Sequence, residues 1–158
     1  MGIVTDNAFV LHIIQNEGNK DYQRKMGYYK NGNFQLYKDT LGYWTIGFGH
    51  LCSPSEIRKY ANGISELNAQ LLLTTDLACA ERDARKMFQF NKHPLAVQQL
   101  LVEMVFQLGA PKAKQFLQFA AALDGLDYKA AARELIASNW YRQTPKRVQG
   151  HVDVLRGI

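Results

Sequence analysis

The stretch from Leu95 to Leu108 carries apolar side chains on nearly every side of a helix and contains no glycine or proline. A helix that is hydrophobic all round has to be buried against other elements, so it requires a helical lobe around it. Gly109 and Pro111 supply the signals that end this central helix. The further helices of the lobe are predicted over about 112–124, over about 127–138 and after Pro145.

A second long helix is predicted from Leu67 to about Phe88, where an apolar stripe runs without glycine or proline. Ser65 lies just before it and can act as its N-cap. A helix of this length can link two lobes of a small protein. Because 158 residues suit one domain, we expect a single domain over 1–158 with a linking helix over about 65–90.

A hairpin signal lies in the first third of the chain. Asn31-Gly32 stands between Gly27–Lys30 and Phe34–Tyr37, and this dipeptide is the strongest short signal for a tight hairpin turn. Together with Tyr43–Phe48 as a third strand, these residues predict a three-stranded meander. The polar run 19–25 leads into it.

Helices are predicted on both sides of this sheet. The first covers 6–17, with Asp6 or Asn7 as its cap and Gly18 as its end, and the second follows the capping-box sequence Ser53-Pro54-Ser55-Glu56. The predicted fold class is α+β and mainly α, with two lobes. The lobes are a small β-containing lobe over about 15–64 and a larger helical lobe over about 91–158 packed with the N-terminal helix 6–17.

The segment from Tyr37 to His50 combines a turn, a short strand and two glycines. Asp39, Thr40 and Gly42 have the chemistry of a turn, and the aromatic and β-branched residues after them favour a strand. Glycines inside a strand often mark a place where another backbone or a ligand comes close. We therefore expect a functional site along this segment.

The chain carries a net charge of +5, which favours an acidic partner such as nucleic acid, anionic lipid or an anionic polysaccharide. Residues 129–158 hold six Lys/Arg against two acidic residues and so account for most of the excess. There is no nucleic-acid recognition motif, glycine-rich phosphate loop or basic run interleaved with aromatics, so we do not expect nucleic acid as the partner. A solvated basic face also explains the charge.

Cysteines and histidines give no sign of a disulfide framework or a metal site. Cys52 and Cys79 are 27 residues apart, which fits no zinc pattern.

The apolar run Phe9–Ile14 is short, is interrupted by His12 and lacks a basic leader and a cleavage site. The expectation is a protein that is made in a reducing compartment, is not exported and has no stable membrane association.

Three motifs carry a family resemblance: DTLGYWTIGFGH at 39–50, MVFQLG at 104–109 and WYRQTPKR at 140–147. In this order they resemble the T-even bacteriophage lysozymes, a family of phage endolysins that are glycoside hydrolases. The resemblance implies a two-lobed muramidase without cofactor or metal, with a cleft that binds bacterial peptidoglycan. It also implies a monomer that gathers in the host cytoplasm and reaches the wall after a separate protein disrupts the membrane.

Position by position, the resemblance assigns the catalytic roles to Glu17, Asp39 and Thr45. An inverting glycosidase needs an acid at the leaving oxygen and a carboxylate roughly 6.5–9.5 Å away that activates water. On this assignment Glu17 is the general acid and Asp39 is the base or charge stabiliser. The Thr45 hydroxyl can help to hold the water beside Asp39.

The resemblance also assigns supporting residues. His50 matches a structural histidine paired with an aspartate on the long helix, here Asp76, so its pKa should be raised and it is not expected to bind metal. Trp140 and Tyr141 are expected to be packing residues. The predicted substrate-binding residues of the helical lobe are Phe106, Gln107, Gln143 and Arg147.

The chain departs from the family pattern in three places. Glu17 and Asp39 are 22 residues apart, whereas the family usually has about nine residues between them, an excess of about thirteen that is the size of a loop or hairpin arm. We hypothesise that three basic residues in this part of the chain touch anionic parts of the wall; they are Lys20, Arg24 and Lys25. Glu103 stands where the family usually has asparagine, and Asn139 stands where it has arginine.

Three other functions fit parts of the pattern. A lytic transglycosylase would use one glutamate without hydrolytic water, but an aspartate and a threonine at matching positions favour hydrolysis. A catalytically silent wall-binding protein would not need the three catalytic positions together. A lysozyme domain that works from a phage tail also fits the motifs.

Overall fold

The computed structural model describes residues 2–3 and 6–158 and is mainly helical with a small antiparallel sheet. The predicted α+β class is therefore confirmed. The backbone forms two compact units, which divide between Ala78 and Cys79. Among the described residues, no helix combines the length and the apolar character that a membrane span requires.

The first unit begins with two helices, α1 (Asn7–Glu17) and α2 (Lys20–Met26). The Asp6 side chain caps α1 by accepting the backbone N–H of Phe9, and α1 ends at Gly18 with a φ of +102°. Asn19 caps α2, which ends at Gly27 in the left-handed conformation. The polar run 19–25 did not predict α2, so this helix is an unexpected element of the insertion.

Two separate β structures follow. The hairpin of β1 (Tyr29–Lys30) and β2 (Asn33–Phe34) turns at Asn31-Gly32, where both residues have positive φ as a type I′ turn requires. The three-stranded sheet consists of β3 (Tyr37–Lys38), β4 (Trp44–Ile46) and β5 (His50–Leu51), all antiparallel.

The predicted three-stranded sheet is thus present, but its strands differ from the expected ones. The hairpin is not part of it, because the backbone of Phe34 exchanges two hydrogen bonds with Ile64 instead, at 2.8 and 2.9 Å. The third strand is β5, which returns along β4 after the turn that contains Gly47 and Gly49. Phe34, Ile46, Phe48 and Ile64 are buried in this unit.

Two further helices belong to this part of the chain. The helix α3 (Pro54–Lys59) starts with the predicted capping box, in which Ser53 and Glu56 satisfy each other's backbone N–H groups. The long helix α4 (Glu66–Met87) lies within the range of about 65–90 predicted for a long helix, and the boundary between the two units falls within it.

The second unit is built around α5 (Leu95–Leu108), the helix predicted to be central, and seven of its residues are buried. The helices that follow are α6 (Ala110–Ala113), α7 (Leu117–Asp124), α8 (Tyr128–Ile136), α9 (Asn139–Gln143) and α10 (Pro145–Arg156). The predicted helix over 112–124 is divided into α6 and α7, and α9 is an additional element. The helix α8 packs against α7 and α10, and α10 also contacts α5.

Candidate active site

Glu17 is the last residue of α1, and its carboxylate lies directly against the backbone of Gly49. A Cβ atom added at Gly49 would be 2.7 Å from Oε2 of Glu17 and 3.2 Å from its Cδ. Gly49 also has a φ of +82°, a conformation that side chains disfavour. The glycine therefore leaves the space that the glutamate carboxylate occupies.

Asp39 follows β3 and organises the turn that leads into β4. Its Oδ1 accepts the backbone N–H groups of Leu41 and Tyr43, each at 2.9 Å. The backbone N–H of Asp39 is bonded to the carbonyl of Tyr43 at 2.9 Å, and that of Gly42 is bonded to the carbonyl of Asp39 at 3.0 Å. These contacts fix the direction of the Asp39 carboxylate.

Thr45 lies in β4, where its side chain is 5% exposed. Its hydroxyl donates to the carbonyl of Tyr43 at 3.2 Å. Asp39 and Thr45 therefore bind the N–H and the C=O of the same residue, Tyr43. The structure brings these two predicted residues together on one turn, and the hydroxyl oxygen of Thr45 can still accept a hydrogen bond.

Tyr37 links the two carboxylates electrostatically. Burial of its phenol, followed by the negative charge of Glu17, raises the pKa of Tyr37 to about 12, and Asp39 adds a smaller effect of the same sign. Its ring stacks on Tyr28 with a centroid separation of 4.2 Å, and its backbone pairs with Thr45. The charges of both carboxylates therefore act in the same direction on the phenol of Tyr37.

Sequence reasoning missed Tyr37 as a site residue. Its position two residues before Asp39, at the start of the recognised segment, was the available signal.

Gln23 is a second residue that sequence reasoning missed. The side chain is 1% exposed, and its Nε2 donates to the carbonyl of Gly18 at 2.9 Å and to that of Gly47 at 2.8 Å. Gly18 follows Glu17 directly, and Gly47 lies between Thr45 and Gly49. No motif signals this contact, because it depends on a helix that the polar sequence did not predict.

His50 forms hydrogen bonds through both ring nitrogens. Nδ1 contacts the carboxylate of Asp76 at 2.8 Å, and Nε2 contacts that of Glu56 at 2.9 Å. The hydrogen bond to Asp76, supported by the charges of both carboxylates, raises the pKa of His50 above its ordinary value, although burial opposes this. The expected partner Asp76 is in contact, and Glu56 is an additional one.

Glu56 serves two elements at once. Its carboxylate completes the capping box of α3 through the backbone N–H of Ser53 and also bonds to His50. The backbone hydrogen bond from Ser53, followed by the contact with His50, lowers the pKa of Glu56 despite an opposing effect of burial. This carboxylate therefore ties β5 to α3, while Asp76 ties β5 to α4.

The predicted substrate-binding residues all lie in the second unit. Phe106 and Gln107 are half-buried at the end of α5, and Gln143 is exposed. The Nε2 of Gln107 donates to the hydroxyl of Thr144 at 3.4 Å. The guanidinium of Arg147 is engaged by the carboxylate of Glu103.

Arg147 and Glu103 form a buried ion pair with an Nε–Oε1 distance of 2.9 Å, and their side chains are 11% and 2% exposed. The second Glu103 oxygen lies 3.7 Å from Nε2 of His151. Glu103 is the residue that departs from the family's usual asparagine. Here its charge is matched by a cation rather than left alone in the core.

The three basic residues expected to touch the wall differ in their surroundings. Lys20 forms an ion pair with Glu66 at 3.3 Å, and Arg24 forms one with Asp21 at 3.0 Å. Lys25 is exposed. Part of the positive charge expected to face the wall is therefore balanced within the protein.

No group of three or more His, Cys, Asp or Glu side chains among residues 2–3 and 6–158 is placed to hold a metal ion. The two cysteines are present as free thiols.

Comparison with known proteins decides the family. The model of the phage lysozyme family matches residues 30–154, which include two of the three predicted catalytic positions and all but the last four residues of the second unit. The chain belongs to the phage lysozyme family. Membership supports lysozyme activity and therefore a glycoside hydrolase.

Named relatives support the same assignment. The chain is 29% identical to a probable T4-type lysozyme 2 of Dictyostelium discoideum, with 76% of this chain and 84% of that protein covered. It is 24% identical to a probable T4-type lysozyme 1 of the same organism, with 81% and 89% covered. It is also 29% identical to the pre-baseplate central spike protein Gp5 of Enterobacteria phage T4, with 72% of this chain but 24% of that protein covered.

Proposed function

We propose that this phage lysozyme family member hydrolyses the β-1,4 bond between N-acetylmuramic acid and N-acetylglucosamine in peptidoglycan, with inversion at the anomeric carbon. The observation that carries the proposal is the arrangement of Glu17, Asp39 and Thr45 within one unit. The turn at Tyr43 joins Asp39 to Thr45, and the phenol of Tyr37 lies within the electrostatic reach of both carboxylates.

In the proposed reaction, protonated Glu17 donates its proton to the glycosidic oxygen as the bond from that oxygen to C1 of the muramic acid breaks. Asp39 takes a proton from a water molecule, whose oxygen forms the new bond to C1 from the opposite face of the sugar. Thr45 accepts a hydrogen bond from this water while its own O–H still donates to the carbonyl of Tyr43. The products are a reducing muramic acid and a free 4-hydroxyl, without cofactor or metal.

His50 has a structural part in this proposal. Its contacts with Asp76 and Glu56 hold the end of the sheet to α4 and α3. We assign the predicted residues of the second unit to sugar and stem-peptide binding; they are Phe106, Gln107, Gln143 and Arg147.

We further propose that the protein is a monomeric endolysin that serves host-cell lysis. On this proposal it gathers in the host cytoplasm and acts on the wall after a separate protein disrupts the membrane. The similarity to a baseplate central spike protein, of which the match covers 24%, favours a second candidate, a lysozyme that acts from the phage tail. That candidate would be favoured if the protein co-purified with phage tails and was not found free in the lysate.

The test compares wild type, Glu17→Gln and the matched control Glu81→Gln on outer-membrane-permeabilised Gram-negative cells. Wild type and the control should clear the suspension, and the released muropeptides should carry reducing muramic acid ends by mass spectrometry. Glu17→Gln should be folded and inactive. Muropeptides ending in 1,6-anhydro sugars would indicate a transglycosylase, and a folded but inactive wild type would indicate a silent wall-binding protein.

A further inference from the structure

The inserted helix α2 contributes a buried polar side chain to the vicinity of Glu17. Of the seven residues of α2, all of which the structure describes, Gln23 is the buried one. The neighbouring residues of this helix are exposed. A buried side-chain amide needs hydrogen-bond partners, and the amide of Gln23 donates two hydrogen bonds to backbone carbonyls.

These two hydrogen bonds join the backbone segments on both sides of the Glu17 carboxylate. The Gly18 carbonyl belongs to the residue that follows Glu17 at the end of α1, and the Gly47 carbonyl belongs to the turn whose Gly49 faces Oε2 of Glu17. Since both acceptors are carbonyl oxygens, the NH₂ group must point toward them, which fixes the orientation of the amide.

Both segments need such support because of their backbone conformations. Gly18, Gly47 and Gly49 all have positive φ, with values of +102°, +65° and +82°. Glycine has more conformational freedom than other residues, so segments rich in it do not hold a position by themselves. One amide that bonds both segments restricts their movement relative to each other.

We propose that Gln23 is a positioning residue for the carboxylate of Glu17. Its amide bonds the carbonyls of Gly18 and Gly47 and so holds in place the two backbone segments next to that carboxylate. This inference rests on the proposed function, in which Glu17 is the general acid. It gives the insertion a role inside the site, in addition to any contact of its exposed residues with the wall. The catalytic step itself remains with Glu17, Asp39 and Thr45.

The first variant is Gln23→Met, which preserves the length and volume of the side chain but donates no hydrogen bond. Because Oε1 of Gln23 accepts no hydrogen bond from a described residue, the change removes an unpaired acceptor together with the two donated bonds. A misplacement of a reacting group by about 1 Å can cost about 100-fold in rate. We expect kcat on soluble glycan chains to fall by about 10- to 100-fold with KM changed by less than about twofold.

The matched control is Gln98→Met, which also removes a hydrogen bond from a glutamine amide to a backbone carbonyl, that of Phe90 at 3.2 Å. Its melting temperature should fall, but its kcat should equal that of wild type. An equal loss of kcat in both variants would overturn the inference, because it would show a general effect of stability. A Gln23→Met loss confined to KM would also overturn it and would indicate substrate contact.

A second variant, Gln23→Glu, decides the question if Gln23→Met does not fold. A carboxylic acid can donate one hydrogen bond when protonated and none when ionised. The kcat of this variant relative to wild type should therefore rise as the pH falls through the titration range of a carboxyl group. A constant ratio would refute the positioning role, and an inactive wild type would refute the proposed function and this inference together.

Discussion

Replacing Gly49 by alanine separates the effect of Glu17 placement from that of fold stability. The new Cβ would lie 2.7 Å from Oε2 of Glu17, whereas nonbonded atoms are at their optimum near about 3.5 Å. The carboxylate must therefore move by about 0.8 Å, which the end of a flexible side chain can do at little cost to the fold. The same movement should lower kcat by about 10- to 100-fold, or raise the barrier by about 1.4–2.7 kcal/mol.

The backbone adds a separate cost to stability. Alanine at a φ of +82° should lower the free energy of unfolding by about 1–2 kcal/mol. For a chain of this size, each kcal/mol lost should lower the melting temperature by about 2–4 °C. Gly32→Ala is the matched control, because Gly32 has a φ of +78° and a Cβ there meets nothing within 4 Å.

The assay measures kcat on soluble glycan chains and the melting temperature for both variants. Both should lose similar stability, and only Gly49→Ala should lose activity. Wild-type kcat in Gly49→Ala, or an equal loss in Gly32→Ala, would refute the argument that Gly49 makes room for the carboxylate.

Three further predictions concern charged residues. Because the pKa of His50 is raised above its ordinary value of 6.5, its contacts stabilise the fold fully below that pH and lose effect as the pH rises through the raised pKa. Asp76→Asn should lower the pKa of His50 in an NMR titration and flatten this part of the stability profile; an unchanged pKa would contradict the pairing. Glu103→Ala should lower the free energy of unfolding, measured with denaturant, by about 3–5 kcal/mol, because the partly buried cation of Arg147 loses the carboxylate of Glu103. A loss below about 1 kcal/mol would mean that the pair is effectively solvated. Asp39→Asn should reduce kcat strongly while the turn persists, because an amide oxygen can still accept the two backbone N–H groups, and nuclear Overhauser contacts of the turn would check this.

The elements predicted correctly from the sequence are those set by local signals. The apolar run of α5 is bounded by Pro94 and Gly109, and its limits agree with the structure. The capping box at Ser53 and the positive-φ turn at Asn31-Gly32 are also decided by residues close in sequence. Such signals carry their own physical cause, so they do not depend on the rest of the fold.

The elements that were missed depend on contacts between distant residues. The seven-residue helix α2 has a polar sequence, and its buried Gln23 bonds to a turn 24 residues away. The strand pairing differed from the prediction because Phe34 pairs with Ile64 rather than with the next strand. Neither partner can be read from local periodicity.

The candidate site divides in the same way. Glu17, Asp39 and Thr45 were assigned through the resemblance to the lysozyme family, and the roles assigned to them remain proposals. Tyr37 begins the recognised segment, but its contact with the site became visible only when the structure gave its neighbours. Gln23 stands in a polar run and had no sequence signal. The contribution of the inserted segment to the site could therefore not be predicted from the sequence.

The configuration of the newly formed sugar end tests most directly whether the enzyme inverts the anomeric carbon. Proton NMR of soluble glycan chains, recorded within the first minutes of wild-type hydrolysis, distinguishes the two anomers before they interconvert. A water activated by Asp39 attacks opposite the β-linked leaving group, so the α-anomer should form first. Initial formation of the β-anomer, or of a 1,6-anhydro end without a reducing sugar, would contradict the proposed roles of Glu17 and Asp39.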